Sequence, residues 1–415
     1  MKLSRNTLAV ALLAACVAPA AHAEIALDVI GNSEVSFEGL VQADFYKFST
    51  DTIDYGADVV GDIDGKDYLN ELRRAELVLK GKGPGNIEWV LGYDAKDDKF
   101  LDANIKYKFG NNANHFIQVG QYKQPGATME ELSSTKNNDF ISKSSITNSL
   151  GTARRVGAQY NYGDNNWGLT ASYFGRELTR NREHGAGYGL RGYYAPINEA
   201  GNILHFGASY SNKDTDADGI RLRARPMADM VPTRFIDTGS SVTSANSLNN
   251  RSDRVSVIGA EGLWVKGPFK LQGEYMTIDV KRLNGLSDFS GDGFYVSGLW
   301  NISGETWGYK AGTPTTPLPN DPAKGMWQVG LRYDTIDLND GTVRPGATPI
   351  AAPIVNGVLG GKMDSWTVGV NWYWRSNFKF MLNYVMVEQE KYTAAARGKT
   401  EDNPNVLEAR MQFYW

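Results

Sequence analysis

The sequence predicts an all-β fold, a transmembrane antiparallel β-barrel of about 16 strands with one loop folded inward to constrict it. Three observations predict it. The chain ends Leu407-Glu408-Ala409-Arg410-Met411-Gln412-Phe413-Tyr414-Trp415. Leu407, Ala409, Met411, Phe413 and Trp415 share one face, and Glu408, Arg410 and Gln412 share the other, as a strand between lipid and water requires. The same alternation recurs along the chain, and a segment of secretory type precedes it.

That segment is the first element. Lys2 and Arg5 form a positive n-region, Leu8 to Val17 a short apolar h-region, and Ala21-His22-Ala23 a small-x-small cleavage site before Glu24. The chain thus divides into a signal peptide, residues 1–23, and a barrel domain, residues 24–415. Leu13-Ala14-Ala15-Cys16 competes as a lipoprotein box that would leave Cys16 lipidated. The Ala-His-Ala site downstream and the integral-barrel pattern of the rest favour the first reading. Cleavage after Ala23 removes the single cysteine, which excludes disulfides and cysteine metal sites. It also takes the formal net charge from −4 to −6, because Lys2 and Arg5 leave and no acid does. A mildly acidic chain does not suggest an anion binder, but net charge says nothing about the local field inside a pore. Mean hydropathy is −0.39, and no mature segment approaches the ~18 consecutive apolar residues of a membrane helix. Barrel strands escape that test because alternation averages to a faint signal.

The strands follow in order. The first runs from Val35 to Phe45. Ala75-Leu77-Leu79, Ile87-Trp89-Leu91-Tyr93, Ala103-Ile105-Tyr107-Phe109 and a less regular Phe116 to Tyr122 come next. Val156 to Tyr162 and Trp167 to Tyr173 form a hairpin around Gly163-Asp164-Asn165-Asn166, and Tyr188 to Tyr194 with Leu204 to Tyr210 forms another. Val255 to Trp264, Phe269 to Tyr275, Phe294 to Trp300 and Trp327 to Tyr333 lead to Trp366 to Trp374, Phe378 to Tyr384 and the terminal strand. Many aromatic residues fall near strand ends, where interface girdles are expected. Connections alternate between short, as at Gly267-Pro268, and long, as over 49–70, 123–153, 211–254 and 336–363. Short periplasmic turns and long external loops produce this rhythm. Residues 301–325 break it, being a long connection on the short-turn side. A large soluble sandwich is the competing fold, but its strands are shorter, whereas these segments run nearer the ~9–11 residues that cross a bilayer and a secretion signal precedes them.

Arg221-Leu222-Arg223-Ala224-Arg225-Pro226 is the sharpest local feature. Arginines at every second position of an extended chain project to one side, roughly 7 Å apart. That lies within the ~8–10 Å screening length, so the three act as one field on a passing anion. The planar guanidinium also suits oxyanions. The same residues also fit a solvated basic loop paired with Asp214, Asp216 and Asp218, or bound to lipopolysaccharide. Arg73 and Arg74 open the second strand. Adjacent residues face opposite sides, so at least Arg74 is expected in the lumen beside Glu76. Arg155, Arg176, Arg191, Arg332 and Arg410 are further lumen candidates, each equally a partner for a nearby acid. The polar stretch 123–153, with Ser133, Ser134, Lys136 and Lys143, is expected to fold into the barrel, since long structureless loops are uncommon unless functional. The three mature histidines, His115, His184 and His205, stand in no His-x-x-x-His arrangement, and no Gly-x-Ser-x-Gly occurs, so enzyme readings fare badly.

Several short stretches carry a resemblance: Val41-Gln42-Ala43-Asp44-Phe45, Leu72-Arg73-Arg74-Ala75, Phe100-Leu101-Asp102 and Val119-Gly120-Gln121-Tyr122-Lys123. Ala260-Glu261-Gly262-Leu263-Trp264, Arg332-Tyr333-Asp334 and Val368-Gly369-Val370-Asn371-Trp372-Tyr373 add to them. Together they resemble the phosphate- and polyphosphate-selective porins of Gram-negative outer membranes, over essentially the whole mature chain. The resemblance implies a homotrimer of 16-stranded barrels, passive passage of phosphate or polyphosphate, and an arginine ladder leading to a constriction. Ladder positions carry over to Arg221, Arg223, Arg225, Arg73 and Arg74. Constriction positions carry over to Ser134, Lys136, Lys143 and the acidic partner Asp102. No cofactor and no nucleic-acid partner are implied. This sequence departs from the pattern at Leu40, where phosphate-selective members place a lumen arginine, at Glu131, which replaces a lysine, and at Lys143, where arginine is usual. These departures weaken the expectation of tight phosphate selectivity more than that of anion preference. A general porin for other small solutes, and a non-conducting barrel enzyme or adhesin, remain the alternatives.

Overall fold

The computed structural model describes residues 25–30, 33–49, 68–179, 185–215, 219–229, 231, 234–239, 246–249, 251–348, 351, 353–393 and 398–415. Residues 1–23, His184, Asp216 and Asp218 lie outside the described residues. Sixteen strands close into one antiparallel barrel. They are β1 Ser33–Ser49, β2 Tyr68–Gly83, β3 Ile87–Asp94, β4 Lys99–Lys108, β5 Phe116–Lys123, β6 Arg154–Gly163, β7 Trp167–Phe174 and β8 Gly187–Glu199. β9 Asn202–Asp214, β10 Ser252–Lys266, β11 Phe269–Arg282, β12 Phe289–Asn301, β13 Met326–Arg344, β14 Ile354–Trp374, β15 Phe378–Thr393 and β16 Asn405–Tyr414 complete it. Gly398–Asp402 extends β16 along β15, and Ile25–Ile30 adds a short strand beside the start of β1. Each strand pairs with the next, and β16 pairs with β1 from Leu40↔Tyr414 to Ser49↔Asn405, which leaves no open edge between them.

The terminal strand shows why the alternation predicts this closure. Leu407 and Met411 are exposed on the outer face, while Glu408, Arg410 and Gln412 are buried inside. On the closing seam Arg410 donates two hydrogen bonds to Asp44, both 2.6 Å, and Gln42 donates to Gln412 at 2.6 Å. The irregular fifth strand has a local cause. Gly120 takes φ +119, and a Cβ there would meet the Ala103 carbonyl oxygen at 2.3 Å. The glycine permits that close approach and breaks the period of two.

Three connections fold inward among the described residues, and the one after β9 carries Leu222, Ala224 and Ile236 into the interior. The predicted one, residues 123–153, starts at the last residue of β5 and holds helix α1 (Met129–Leu132), a 3-10 turn (Thr135–Asn137) and helix α2 (Ser145–Ser149). Wall carboxylates fix it by its backbone. Glu274 accepts from the N–H groups of Met129 and Glu130 at 2.5 and 2.9 Å, and Asp334 accepts from that of Ser145 at 3.0 Å. Helix N-termini leave such donors unsatisfied, so buried carboxylates are apt partners. The second connection is the one that breaks the rhythm. It forms a small hairpin, Gly308–Lys310 with Thr313–Thr315, and buries Trp307. Tyr309 bonds His205 at 2.6 Å, the Gly312 carbonyl accepts from Arg191 at 2.7 Å, and the Pro314 carbonyl accepts from Ser133 at 3.3 Å.

Over one side of the barrel the inner face meets a dry core in place of water. Wall residues including Val255, Val257, Met276, Ile278, Ile336 and Val385 are buried in one apolar cluster. The in-folded residues Ile141, Ile146, Leu150, Leu222, Ala224 and Ile236 pack against them. Over that stretch the strands have lipid outside and a dry core inside, while Gln272, Glu274, Arg332 and Asp334 are buried farther along the same strands. Each fully buried aliphatic side chain contributes roughly 1.5–3 kcal/mol, which holds the loops in place.

Candidate functional site

The period of two carries into the loop after β9. Arg223–Ala224 pairs with Ile236–Asp237, and Leu222 and Ala224 enter the apolar core. Arg221 and Arg223 turn instead to a cavity of about 310 Å³ that they line with Arg155, Lys213, Arg234 and Glu131. Arg221 donates to the Asp237 carboxylate from its Nε at 2.9 and 3.1 Å and from its Nη2 at 2.5 Å. Among the described residues the buried Nε atoms of Arg223 and Arg234 have no hydrogen-bond partner. Burial, with Arg225, Arg223 and Arg221 close by, pushes Arg234 down to about 10. Arg225 donates to the Val231 carbonyl at 2.9 Å. Burial lowers its pKa, Asp229 opposes, and Arg73 and Arg223 lower it further, so it links the loop arginines to those of β2.

At β2 the prediction of opposite faces for Arg73 and Arg74 is corrected. The register shifts between Gln42↔Arg74 and Ala43↔Leu72, so Arg73 is the extra residue of a β-bulge. A bulge re-aims side chains. Arg73 reaches the in-folded Asp229 at 3.2 Å, and Arg74 lies 3.4 Å from Glu76. Burial would raise the Asp229 carboxyl, but Arg73, Arg410, Arg225 and Arg74 outweigh it and hold it at about 2.

The constriction residues divide between two groups. Lys143 is tied to Glu131 by an ion pair. Burial would raise the Glu131 carboxyl, but Lys143, Lys123 and Arg154 outweigh it and hold it at about 2. Lys123 donates to the Glu131 and Ser133 carbonyls at 2.5 and 2.6 Å. Asp102 accepts both bonds of Arg154, at 3.1 and 3.2 Å. Ser134, Lys136, Asp102 and Leu40 line a second cavity, of about 510 Å³, which Glu131 and Lys143 do not line. The structure thus brings Ser134, Lys136 and Asp102 together and sets Lys143 apart, already neutralised.

Of the other lumen arginines, Arg191 pairs with Glu261 at 2.6 Å, Arg332 lies 3.6 Å from Glu130, and Arg410 pairs with Asp44. Arg176 is exposed beyond the end of β7. Arg154, Arg234, Asp229 and Asp237 were not singled out from the sequence. The Arg154-Arg155 doublet at a strand start repeats the Arg73-Arg74 signal and was legible. The two aspartates carry no sequence signal, because their partners lie far away along the chain.

A closed barrel narrowed by in-folded loops, with ionic side chains along its remaining wet lumen, is an outer-membrane porin. The chain belongs to the phosphate-selective porin O and P family, whose model matches residues 41–415, and to the Gram-negative outer membrane. Porin O of Pseudomonas aeruginosa is 29% identical over 238 residues, 54% of this chain and 52% of Porin O, so the match spans about half of that protein's length. An uncharacterized protein of Caulobacter vibrioides is 26% identical over 371 residues, 84% of this chain and 69% of that protein. Among solved structures, OmpT, an outer membrane protein of Vibrio cholerae, superposes with a TM-score of 0.56 at 11% identity, over 94% of this chain and 99% of that one. The anion-selective porin from Comamonas acidovorans gives 0.54 at 13% identity, over 92% of this chain and 100% of that one. At such identities the likeness is one of fold.

Proposed function

We propose that the protein is a passive channel for small anions, among them phosphate and polyphosphate, and neither an enzyme nor an adhesin. One observation carries the reading: four arginines and a lysine line the 310 Å³ cavity against a single carboxylate, Glu131. In such a confined space with low-dielectric walls the field is focused and local anion concentration rises. Arg221, Arg223 and Arg225 collect anions at the long-loop mouth, and Arg225 passes them toward Arg73 and Arg74. Ser134, Lys136, Lys143 and Asp102 shape the constriction beyond. Neutralisation of Lys143 by Glu131 favours weak over tight selectivity. No cofactor is required. The channel works as a homotrimer embedded in lipid and lipopolysaccharide after removal of residues 1–23, a reading supported by family membership and by the secretory pattern of the N-terminus.

Reversal potentials of single channels in a potassium chloride gradient test this. Anion preference is expected at low salt, and it falls strongly in the triple variant Arg221→Ala, Arg223→Ala, Arg225→Ala. Each charge contributes roughly 1 kcal/mol at 4 Å in bulk water and several-fold more at lower effective dielectric. The difference shrinks at high salt, where counterions screen the field. Equal selectivity in variant and parent at low salt makes this stretch a solvated basic loop.

A further inference from the structure

Resting on the anion-channel reading, the structure points to a narrower substrate class at the inner cavity. We propose that the 510 Å³ cavity on the short-turn side of the constriction selects amphiphilic organic anions, a phosphate monoester or carboxylate on an apolar body, over bare phosphate.

The cations of this cavity are mostly spent. Arg154 is committed to Asp102, Lys80 to Glu38 at 2.6 Å, and Lys123 to backbone carbonyls. Two lysines remain without an acidic partner within ion-pair distance among the described residues, and each stands over an aromatic ring. Lys106 Nζ lies 4.5 Å from the Phe116 ring centre, and Lys136 Nζ lies 5.8 Å from that of Tyr414. Tyr414 is the cross-strand partner of Leu40, and both face this cavity. Val78, Val90 and Leu132 continue the apolar lining, and the Ser134 hydroxyl has no hydrogen-bond partner among the described residues. A lysine, a free hydroxyl, an aromatic ring and an aliphatic wall therefore converge on one space.

Bare phosphate needs many charged donors to replace its hydration, and it gains nothing from Leu40, Val78 or Leu132. An anion with an apolar body places its head on Lys136 and Ser134 and lays its body along that wall. The four carboxylates of the lining, Glu38, Glu76, Glu88 and Asp102, are each paired with a cation, so few polar groups are left for a ligand beside the apolar wall. Ring-paired lysines favour an aromatic body, because a cation over one π face can share a second.

The test measures block of chloride current through the full-length mature channel by phenyl phosphate and by inorganic phosphate. Half-block is expected at about tenfold lower concentration for phenyl phosphate, equivalent to about 1.4 kcal/mol. Leu40→Arg should lower the phosphate concentration needed and erase the advantage of the phenyl group. Lys136→Gln should weaken block by both anions. Equal or better block by inorganic phosphate in the parent channel overturns the proposal, and this comparison needs no variant to fold. Reversal potentials from the same recordings report on the parent reading separately. Anion selectivity without a phenyl advantage sinks only the substrate class, whereas cation selectivity sinks both.

Discussion

Glu131 decides at the scale of one side chain what the constriction offers. Its carboxyl sits at about 2 against an ordinary 4.5, because Lys143, Lys123 and Arg154 overcome the effect of burial. A carboxyl depressed by folding stabilises the folded loop fully above its ordinary value, and that contribution disappears as pH falls through the folded one. The hold of Glu131 on the loop is therefore constant from neutral pH to about 4.5, and the constriction is expected to loosen between about 4.5 and 2. Single-channel recordings across that range check it. Glu131→Gln removes the charge that cancels Lys143, so anion over cation permeability should rise at low salt, and reversal potentials would show no change if the pair were irrelevant. The bulged Arg73 gives a second lesson at this scale, since one inserted residue moves a charge from the lipid face to the lumen.

Elements are held by pairs that close them. Asp44 on β1 and Arg410 on β16 are buried and doubly bonded across the seam of the barrel. Removing one partner of a buried pair leaves the other charge uncompensated, at a cost of about 3–5 kcal/mol. Asp44→Asn should therefore lower the denaturation midpoint of the detergent-folded barrel markedly, whereas loss of the exposed pair Lys399–Glu390 should change it by less than about 1 kcal/mol. The in-folded loop makes a different demand. Deleting residues 133–143 removes Phe140 and Ile141 from the interior together with the Lys143 charge. Conductance should rise if the barrel still assembles, and an unchanged value would place the segment outside the ion path.

For the whole molecule, the wall divides by chemistry. β10 to β16 carry the dry core that anchors the loops, and the 510 Å³ cavity runs along the side of β1 to β6, lined by Leu40, Val78, Asp102, Lys106 and Arg154. The Ala21-His22-Ala23 site leads us to expect a mature protein that begins at Glu24 without lipid. Intact-mass measurement checks it, and an acylated Cys16 is the contrary result.

Strand order, barrel closure and the in-folding of residues 123–153 were legible in the sequence, because alternation between lipid and lumen imposes a local period that survives in the chain. Of the three arginines expected on one side, Arg221 and Arg223 line one cavity with Ala224 in the apolar core, whereas Arg225 is not part of that lining. The tertiary structure decided what those charges meet. Asp237 claims Arg221, Asp229 claims Arg73, Glu131 claims Lys143, and the hairpin after β12 docks on His205. It also decided that Val255, Val257 and Ile278 face a core and not water. Periodicity records which side of a strand a residue occupies. What fills the space on that side depends on loops arriving from distant parts of the chain, and no local pattern encodes their arrival.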